Sequence, residues 1–191
     1  TLTAAVAAYN AACLTGAVTF SLTDPNYPLE TYPIVINANP YASSTNTLTI
    51  KPAVGMSPTF SGAAASLLKL NGADYVIIDG SNSGSTSKDL TITNTNTGTS
   101  SAVVWLGSAS VSNGATNNTI KNCIVTGNAP TTTLAGIISS SGTTIGNTAE
   151  IANANNTYNN NTVNTAYYGI WVVGPTGNES GTVISGNLIG S

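Results

Sequence analysis

The carboxylates are the side chains of this sequence best suited to chemistry. The chain has seven acidic residues: Asp24, Glu30, Asp74, Asp79, Asp89, Glu150 and Glu179. Hydrolysis of a glycosidic bond needs two carboxyl groups roughly 5 to 10 Å apart, and only Asp74 and Asp79 lie near each other along the chain. Asp79 precedes Gly80 at the end of a predicted strand, where an aspartate is expected to bind turn amides. The acidic residues therefore predict no glycosidase site.

The other groups that could support catalysis are few. The sequence has no His and no Arg, and its four lysines, Lys51, Lys69, Lys88 and Lys121, are scattered. Nucleophilic catalysis lacks its usual histidine base, and elimination on an acidic polysaccharide lacks a cationic base beside a calcium-binding acid cluster. Cys13 and Cys123 match no metal motif and have no evident activator. We expect no enzymatic activity, no cofactor and no metal site.

The composition limits the classes of partner and the cellular locations that suit this chain. The formal net charge is -3 without any arginine, which argues against nucleic-acid binding. No apolar run reaches the roughly 18 residues of a membrane helix, so we expect no membrane insertion. Thr, Ser and Asn supply about two-fifths of the chain, and uncharged polar residues often provide solubility in secreted β-proteins. We therefore predict an extracellular or cell-surface protein.

The first part of the chain predicts a helical cap on a β-structure. Residues 1–16 read as a short amphipathic capping helix, with Leu2, Val6, Tyr9 and Cys13 at helical spacing and Gly16 as the stop. Residues 17–65 read as leading strands and loops, beginning with the alternating strand "GAVTFSL". Cys13 lies in the cap and Cys123 several coils away. We expect the distance between their Cα atoms to exceed the roughly 7 Å that a disulfide allows, which predicts two free thiols.

From residue 66 to residue 191 the sequence repeats short apolar runs closed by Gly or Asn. We interpret these runs as the coils of a repeat structure, and we expect the coils to continue beyond residue 191. One column of central residues reads Ile92, Ile120, Tyr158 and Val183, and a second reads Val104, Ile137 and Ile170 at a constant interval. Alternation within each run excludes helical repeats. Repeats built from short strands and variable loops predict an all-β chain, a parallel β-helix solenoid.

Asparagine recurs two positions after the first column, at Asn94, Asn122 and Asn160, with Ser185 in the last run. Asn tolerates left-handed backbone angles better than other non-glycine residues, so it suits the corner between two sheets. Stacked coils would then place one amide above the next. These residues predict a structural asparagine ladder.

The runs "AVVWLG", "AGIIS" and "YGIWVVG" are apolar at successive positions, although a sheet with one wet face should alternate. If Val104 and its column face inward, Trp105, Ile138 and Trp171 form an outward column, which we call the outer strip. Two interpretations remain open. The outer strip is a contact surface for protein or sugar, or a loop such as 144–156 folds over it.

The chain resembles a family, bacterial secreted right-handed parallel β-helix repeat proteins of the kind often exported by type IX secretion. The resemblance rests on "LKLNGADYVIIDGSNSG", "SKDLTITNTNTGTSSAVVWLGS", "NNTIKNCIVTGN" and "AYYGIWVVG", and on the upstream "GAVTFSL" and "ETYPIVIN". It implies a right-handed coil with an N-terminal cap and a surface or extracellular location. It brings no catalytic motif.

Together these features predict a non-enzymatic structural β-helix that acts as a stalk, an adhesin or a self-assembling, filament-like subunit. The expected partners are other copies of the chain, surface proteins or carbohydrate. One alternative is a carbohydrate-binding or polysaccharide-processing β-helix whose active residues lie outside this segment. A lesser alternative is an ice-binding solenoid, suggested by the column Thr91, Thr119, Thr157 and Thr182 but weakened by the irregular column beside it, Thr93, Lys121, Asn159 and Ile184.

Overall fold

The structure is a computed structural model that describes residues 1–175 and 179–190. One helix, α1 (Leu2–Asn10), precedes strands that form three sheets. Sheet A contains β1 (Val18–Leu22), β3 (Leu48–Pro52), β6 (Val76–Asp79), β9 (Thr119–Lys121), β12 (Thr157–Asn159) and β15 (Val183–Ser185). Sheet B contains β4 (Thr59–Gly62), β7 (Leu90–Asn94), β10 (Cys123–Thr126), β13 (Thr162–Asn164) and β16 (Leu188–Ile189). Sheet C contains β2 (Ile34–Asn37), β5 (Leu68–Asn71), β8 (Ser101–Ser108), β11 (Thr133–Ser141) and β14 (Tyr168–Val172).

From β3 onward, successive strands pass from sheet A to B to C and back to A, whereas β1 of sheet A is followed directly by β2 of sheet C. Each strand pairs in parallel with a strand one turn away, as β9 does with β6 and β12. One turn through the three sheets is a coil: β6, β7 and β8 form the third, β9 to β11 the fourth, β12 to β14 the fifth, and β15 with β16 the sixth. The chain is therefore a parallel β-helix, as the repeats predict.

The core consists of residues that repeat at the same register in each coil. In sheet A, Ile50, Ile78, Ile120 and Tyr158 lie above one another and are buried. In sheet C, Val104 and Ile137 form the inward column that Ile170 continues, which confirms that sequence alignment. Stacking like side chains one strand spacing apart, about 4.8 Å, packs the interior closely.

Helix α1 covers the first coil. Its buried residues, Leu2, Val6 and Tyr9, join the main core. Asn10 completes the contact, since its Nδ2 donates to the carbonyl of Val35 at 2.9 Å and its Oδ1 accepts from the amide of Asn37 at 3.0 Å. This side chain satisfies backbone groups of the edge strand β2, which would otherwise face solvent.

The helix is shorter than the predicted segment 1–16, and Cys13 lies after its end and is exposed. Sequence reasoning also missed most of sheet B. Only one residue, Asn122, separates β9 from β10, and two separate β12 from β13. Two strands joined by so short a corner look like a single run in the sequence. The first column of central residues therefore combined residues of sheet A with a residue of sheet B.

Candidate functional site

The predicted asparagine ladder exists at the corner between sheets A and B, with one wrong member. Asn122 and Asn160 both have positive φ, 58° and 51°. Asn160 Nδ2 donates to Asn122 Oδ1 at 2.8 Å, and Asn122 Nδ2 donates to Asp79 Oδ1 at 2.7 Å. Asp79, rather than Asn94, is therefore the third rung. The ladder links the third, fourth and fifth coils along the axis.

Asn94 lies elsewhere because Ile92 belongs to sheet B, where it pairs with Phe60 and Val125. At the end of β7, buried Asn94 donates from Nδ2 to the carbonyls of Ala64 at 2.9 Å and Ala102 at 2.6 Å. The last member of the predicted core column is also shifted by one residue, because Ile184, not Val183, pairs with Tyr158. Asn94 is a structural residue outside the ladder.

A triplet, Asn-Asn-Thr, builds three of the corners, and sequence reasoning did not use it. In 117–119, 155–157 and 160–162 the first Asn has positive φ, the second Asn is buried and the Thr begins a strand. The second Asn bonds the backbone of the preceding coil: Asn118 Oδ1 accepts from the amide of Val76 at 2.9 Å, and its Nδ2 donates to the carbonyl of Ala73 at 2.8 Å. Buried amides thus fasten each coil to the next.

Two of the three residues of the outer strip, Trp105 and Ile138, are buried and Trp171 is half-buried, so the strip is not an open contact surface. Trp105 is 6% exposed and Ile138 is 0% exposed, and both pack in a second apolar cluster with Ile145 and Trp171. Trp105 Nε1 donates to Ser140 Oγ and to the carbonyl of Ser141, both at 3.1 Å. The sequence left the parity of this sheet open, and the structure decides it, since Val104 and Ile137 face inward. Segment 142–149 contributes Ile145 to the outward cluster and places Gly146 beside the Trp171 ring.

A carboxylate holds the end of this covering segment in place. Glu150 accepts hydrogen bonds from the hydroxyls of Ser108 and Ser141 and from the amide of Gly142. Burial alone would raise the pKa of Glu150, but hydrogen bonds from Ser108 and Ser141 outweigh it and lower the pKa to about 2. Lys69 donates to the carbonyl of Gly142 at 2.6 Å and lies 4.1 Å from the Trp105 ring centroid.

Five of the other six carboxylates accept hydrogen bonds from backbone amides: Glu30, Asp74, Asp79, Asp89 and Glu179. Glu30 accepts from the amides of Leu2 and Thr3 at the start of α1, which suits the positive end of the helix. Asp79 accepts from the amide of Ser81 at 3.0 Å, as predicted for a turn residue, and pairs with Lys121 at 3.2 Å. Among residues 1–175 and 179–190, no three His, Cys, Asp or Glu side chains are placed to bind a metal.

The cysteines are free thiols in different environments. Cys123 is fully buried in β10, whereas Cys13 is exposed near the first coil. Burial and the negative charge of Asp79 raise the pKa of the Cys123 thiol to about 12. A hydrogen bond with the Gly80 backbone lowers this pKa but does not offset the two effects that raise it. The buried thiol therefore stays protonated and unreactive.

The threonine column considered for ice binding is interrupted. Thr119 and Thr157 pair within sheet A, but the next partner is Val183. Thr91 lies in sheet B, and the hydroxyl of Thr182 is buried. These four threonines do not form the single outward row that the sequence suggested.

The sixth coil carries the most exposed group of core-type residues, which we call the open end. Ile184 continues the Tyr158 column and Ile189 continues the Val163 column, yet they are 54% and 47% exposed. Val183 and Leu188 beside them are also exposed. Strands β14, β15 and β16 stand last in their sheets, so within the described residues each is paired on one side only. The open end thus combines apolar side chains with unpaired backbone.

Comparison of the chain with protein-family models, curated proteins and solved structures finds no match. In the part of the chain that the structure describes, no helix has the length and apolar character needed to cross a membrane.

Proposed function

We propose that this protein is a non-catalytic structural β-helix and that residues 1–191, as an isolated chain, associate with other copies of that chain through the open end. The supporting observation is the exposure of Ile184 and Ile189, which occupy core positions of the coil register. Burying such side chains stabilises an interface by roughly 25 cal/mol per Å² of apolar surface. Edge strands add a second driving force, because their free amides and carbonyls pair readily with another chain.

The two ends of the stack differ, and this difference selects the kind of assembly. At the first coil, α1 covers the core and Asn10 bonds the edge strand β2. A head-to-tail filament would require displacement of this helix. Two open ends can face each other instead, which produces a closed twofold dimer with the same surface on both partners. For the isolated chain of residues 1–191 we therefore favour a dimer over the filament-like subunit expected from sequence.

The proposed location is the cell surface or the extracellular space, where the molecule would act as a stalk, adhesin or assembly subunit. Support comes from the scarcity of charge, the abundance of Thr, Ser and Asn, and the resemblance to secreted bacterial β-helix proteins. The bonding of carboxylates such as Glu30 and Glu150 to backbone amides and hydroxyls supports a structural role. A non-enzymatic protein is the corresponding proposal.

The test measures the mass of the protein in solution by sedimentation velocity and light scattering over a range of concentrations. We expect the parent chain to form dimers and the double variant Ile184→Lys with Ile189→Lys to remain monomeric, because each lysine would place a charge in the interface. Val54→Lys is the matched control, since Val54 is an exposed apolar residue in another part of the chain. A parent that stays monomeric at all concentrations would refute the proposal.

A further inference from the structure

We propose that a groove at the corner between sheets B and C binds a neutral saccharide. The corner groove encloses about 360 Å³, within the range of roughly 300 to 1,000 Å³ typical of ligand clefts. Its lining comes from three successive coils: Thr99, Pro130, Thr131, Thr132, Thr133, Leu134 and Tyr167. This site is independent of the open end and goes beyond the proposed structural role.

The aromatic member of the groove is presented to solvent. Tyr167 is 67% exposed, an unusual state for a large ring that makes no hydrogen bond from its hydroxyl within the described residues. Tyr168 supports it edge-on, with ring centroids 4.7 Å apart and planes at 88°. Trp171 extends the cluster, 4.5 Å from Tyr168. An exposed, laterally supported ring offers a flat apolar face with a polar tip.

Four threonines line the groove together with this ring. Thr99 and Thr131 are exposed, and neither hydroxyl bonds another described residue. Thr132 Oγ1 accepts from Asn128 Nδ2 at 3.0 Å and donates to the carbonyl of Ala129 at 3.3 Å. The groove therefore combines the unpaired hydroxyls of Thr99 and Thr131 with the apolar side chains of Pro130 and Leu134.

The walls are held in position before any ligand arrives. The amide of Tyr167 donates to the carbonyl of Thr133 at 2.8 Å, which ties the fifth coil to the fourth. Ser101 Oγ donates to the carbonyl of Thr132 at 3.2 Å, which ties the fourth coil to the third. Thr133 Oγ1 accepts from the amide of Asn128 at 2.8 Å within the loop. Such pre-organisation lowers the entropy lost on binding.

The chemistry of the groove matches a neutral sugar better than other ligands. A pyranose ring presents an apolar C–H face that stacks on an aromatic ring, and its edge carries hydroxyls that pair with threonine. No charged residue is among the lining residues, so an acidic or amino sugar would lose hydration without gaining a counter-charge. A proline-rich peptide can also use an aromatic groove and is distinguished by the experiment.

The experiment follows backbone amide resonances of the ¹⁵N-labelled chain during titration with cellohexaose, xylohexaose, mannohexaose or maltohexaose. Trigalacturonate and decaproline serve as the acidic and peptide competitors. We expect at least one neutral hexaose to shift the amides of Thr99, Thr131 and Tyr167 at concentrations up to about 10 mM. Preference for trigalacturonate or decaproline, or no shift with all four neutral sugars, overturns the proposal.

Variants test the role of the ring. Tyr167→Ala should weaken binding about tenfold because stacking is lost, whereas Tyr167→Phe keeps the ring and should bind like the parent. Tyr41→Ala removes an exposed tyrosine near the first coil and should change neither fold nor binding. Equal affinities for the parent and Tyr167→Ala overturn the proposal. The mass of each variant in solution is measured in parallel, so that loss of sugar binding is distinguished from loss of dimerisation.

Discussion

Asn160 donates a hydrogen bond from Nδ2 to Oδ1 of Asn122 in the preceding coil, over 2.8 Å. Both residues have positive φ, so the residue type that tolerates the corner conformation also carries the axial bond. The corner therefore depends on asparagine in two separable ways.

Substitutions at Asn122 separate these two roles. Asn122→Gly keeps the positive φ accessible but loses the bond to Asp79, and we expect it to lower the free energy of unfolding by about 1 to 2 kcal/mol. Asn122→Ala also strains the backbone and should cost about 1 to 2 kcal/mol more. Urea unfolding followed by circular dichroism measures both. Equal stability of the two variants would exclude a conformational role for this residue.

The buried asparagine of the corner triplet should be more critical than exposed asparagines. Asn118→Ala leaves the amide of Val76 and the carbonyl of Ala73 without their partner, and we expect a loss of about 2 to 4 kcal/mol. Asn147→Ala is the control, because Asn147 is exposed. Thermal unfolding of the two variants gives the comparison. A similar melting temperature for both would show that the buried amide adds little.

Glu150 should make the covering segment sensitive to acid. Its pKa is lowered to about 2 from an ordinary value of 4.5, so its contribution to stability is present above about pH 4.5 and is lost as the pH falls toward 2. The fluorescence of Trp105 and Trp171 and urea midpoints between pH 7 and pH 2 measure this loss. Glu150→Gln should be less stable than the parent at pH 7, and the gap should narrow at low pH. A gap independent of pH contradicts this assignment.

The two thiols should differ sharply in reactivity. Cys13 is exposed, whereas Cys123 is buried and its pKa is raised to about 12. A disulfide reagent such as Ellman's should find one reactive thiol in the native protein and two after denaturation. Cys13→Ser is the matched variant and should leave no thiol that reacts in the native state. Rapid reaction of that variant would show that β10 opens readily.

The capping role of α1 depends on its buried face. Val6→Asp places a charge among Leu2, Tyr9 and the first coil, and we expect a loss of at least about 3 kcal/mol or aggregation. Ala7→Asp changes an exposed position of the same helix and serves as the control. Deletion of residues 1–16 should likewise cause aggregation, measured by light scattering. A soluble deletion variant with the parent's melting temperature would contradict the cap.

Part of the fold could be predicted from local patterns because alternation and corner chemistry are local properties. The Val104, Ile137 and Ile170 column and the positive φ of Asn122 and Asn160 follow from them. The assignment of Asn94 to the ladder was wrong because the unseen strands of sheet B shift the coil register. The open end and the corner groove were also missed, since neither has a motif within one run.

The sequence by itself determined where the chain turns and which side chains face the core, since backbone preference and apolar alternation act over a few residues. Only the tertiary structure decided which corner lies above which. The triplets 117–119 and 155–157 stack at the corner before sheet A, whereas the same triplet at 160–162 serves the corner before sheet B. The triplet has the same sequence at both corners, so it cannot determine by itself whether it precedes sheet A or sheet B. Hydrogen bonds and packing with the neighbouring coil determine this. The same long-range packing buried Trp105 under segment 142–149 and left Ile184 exposed.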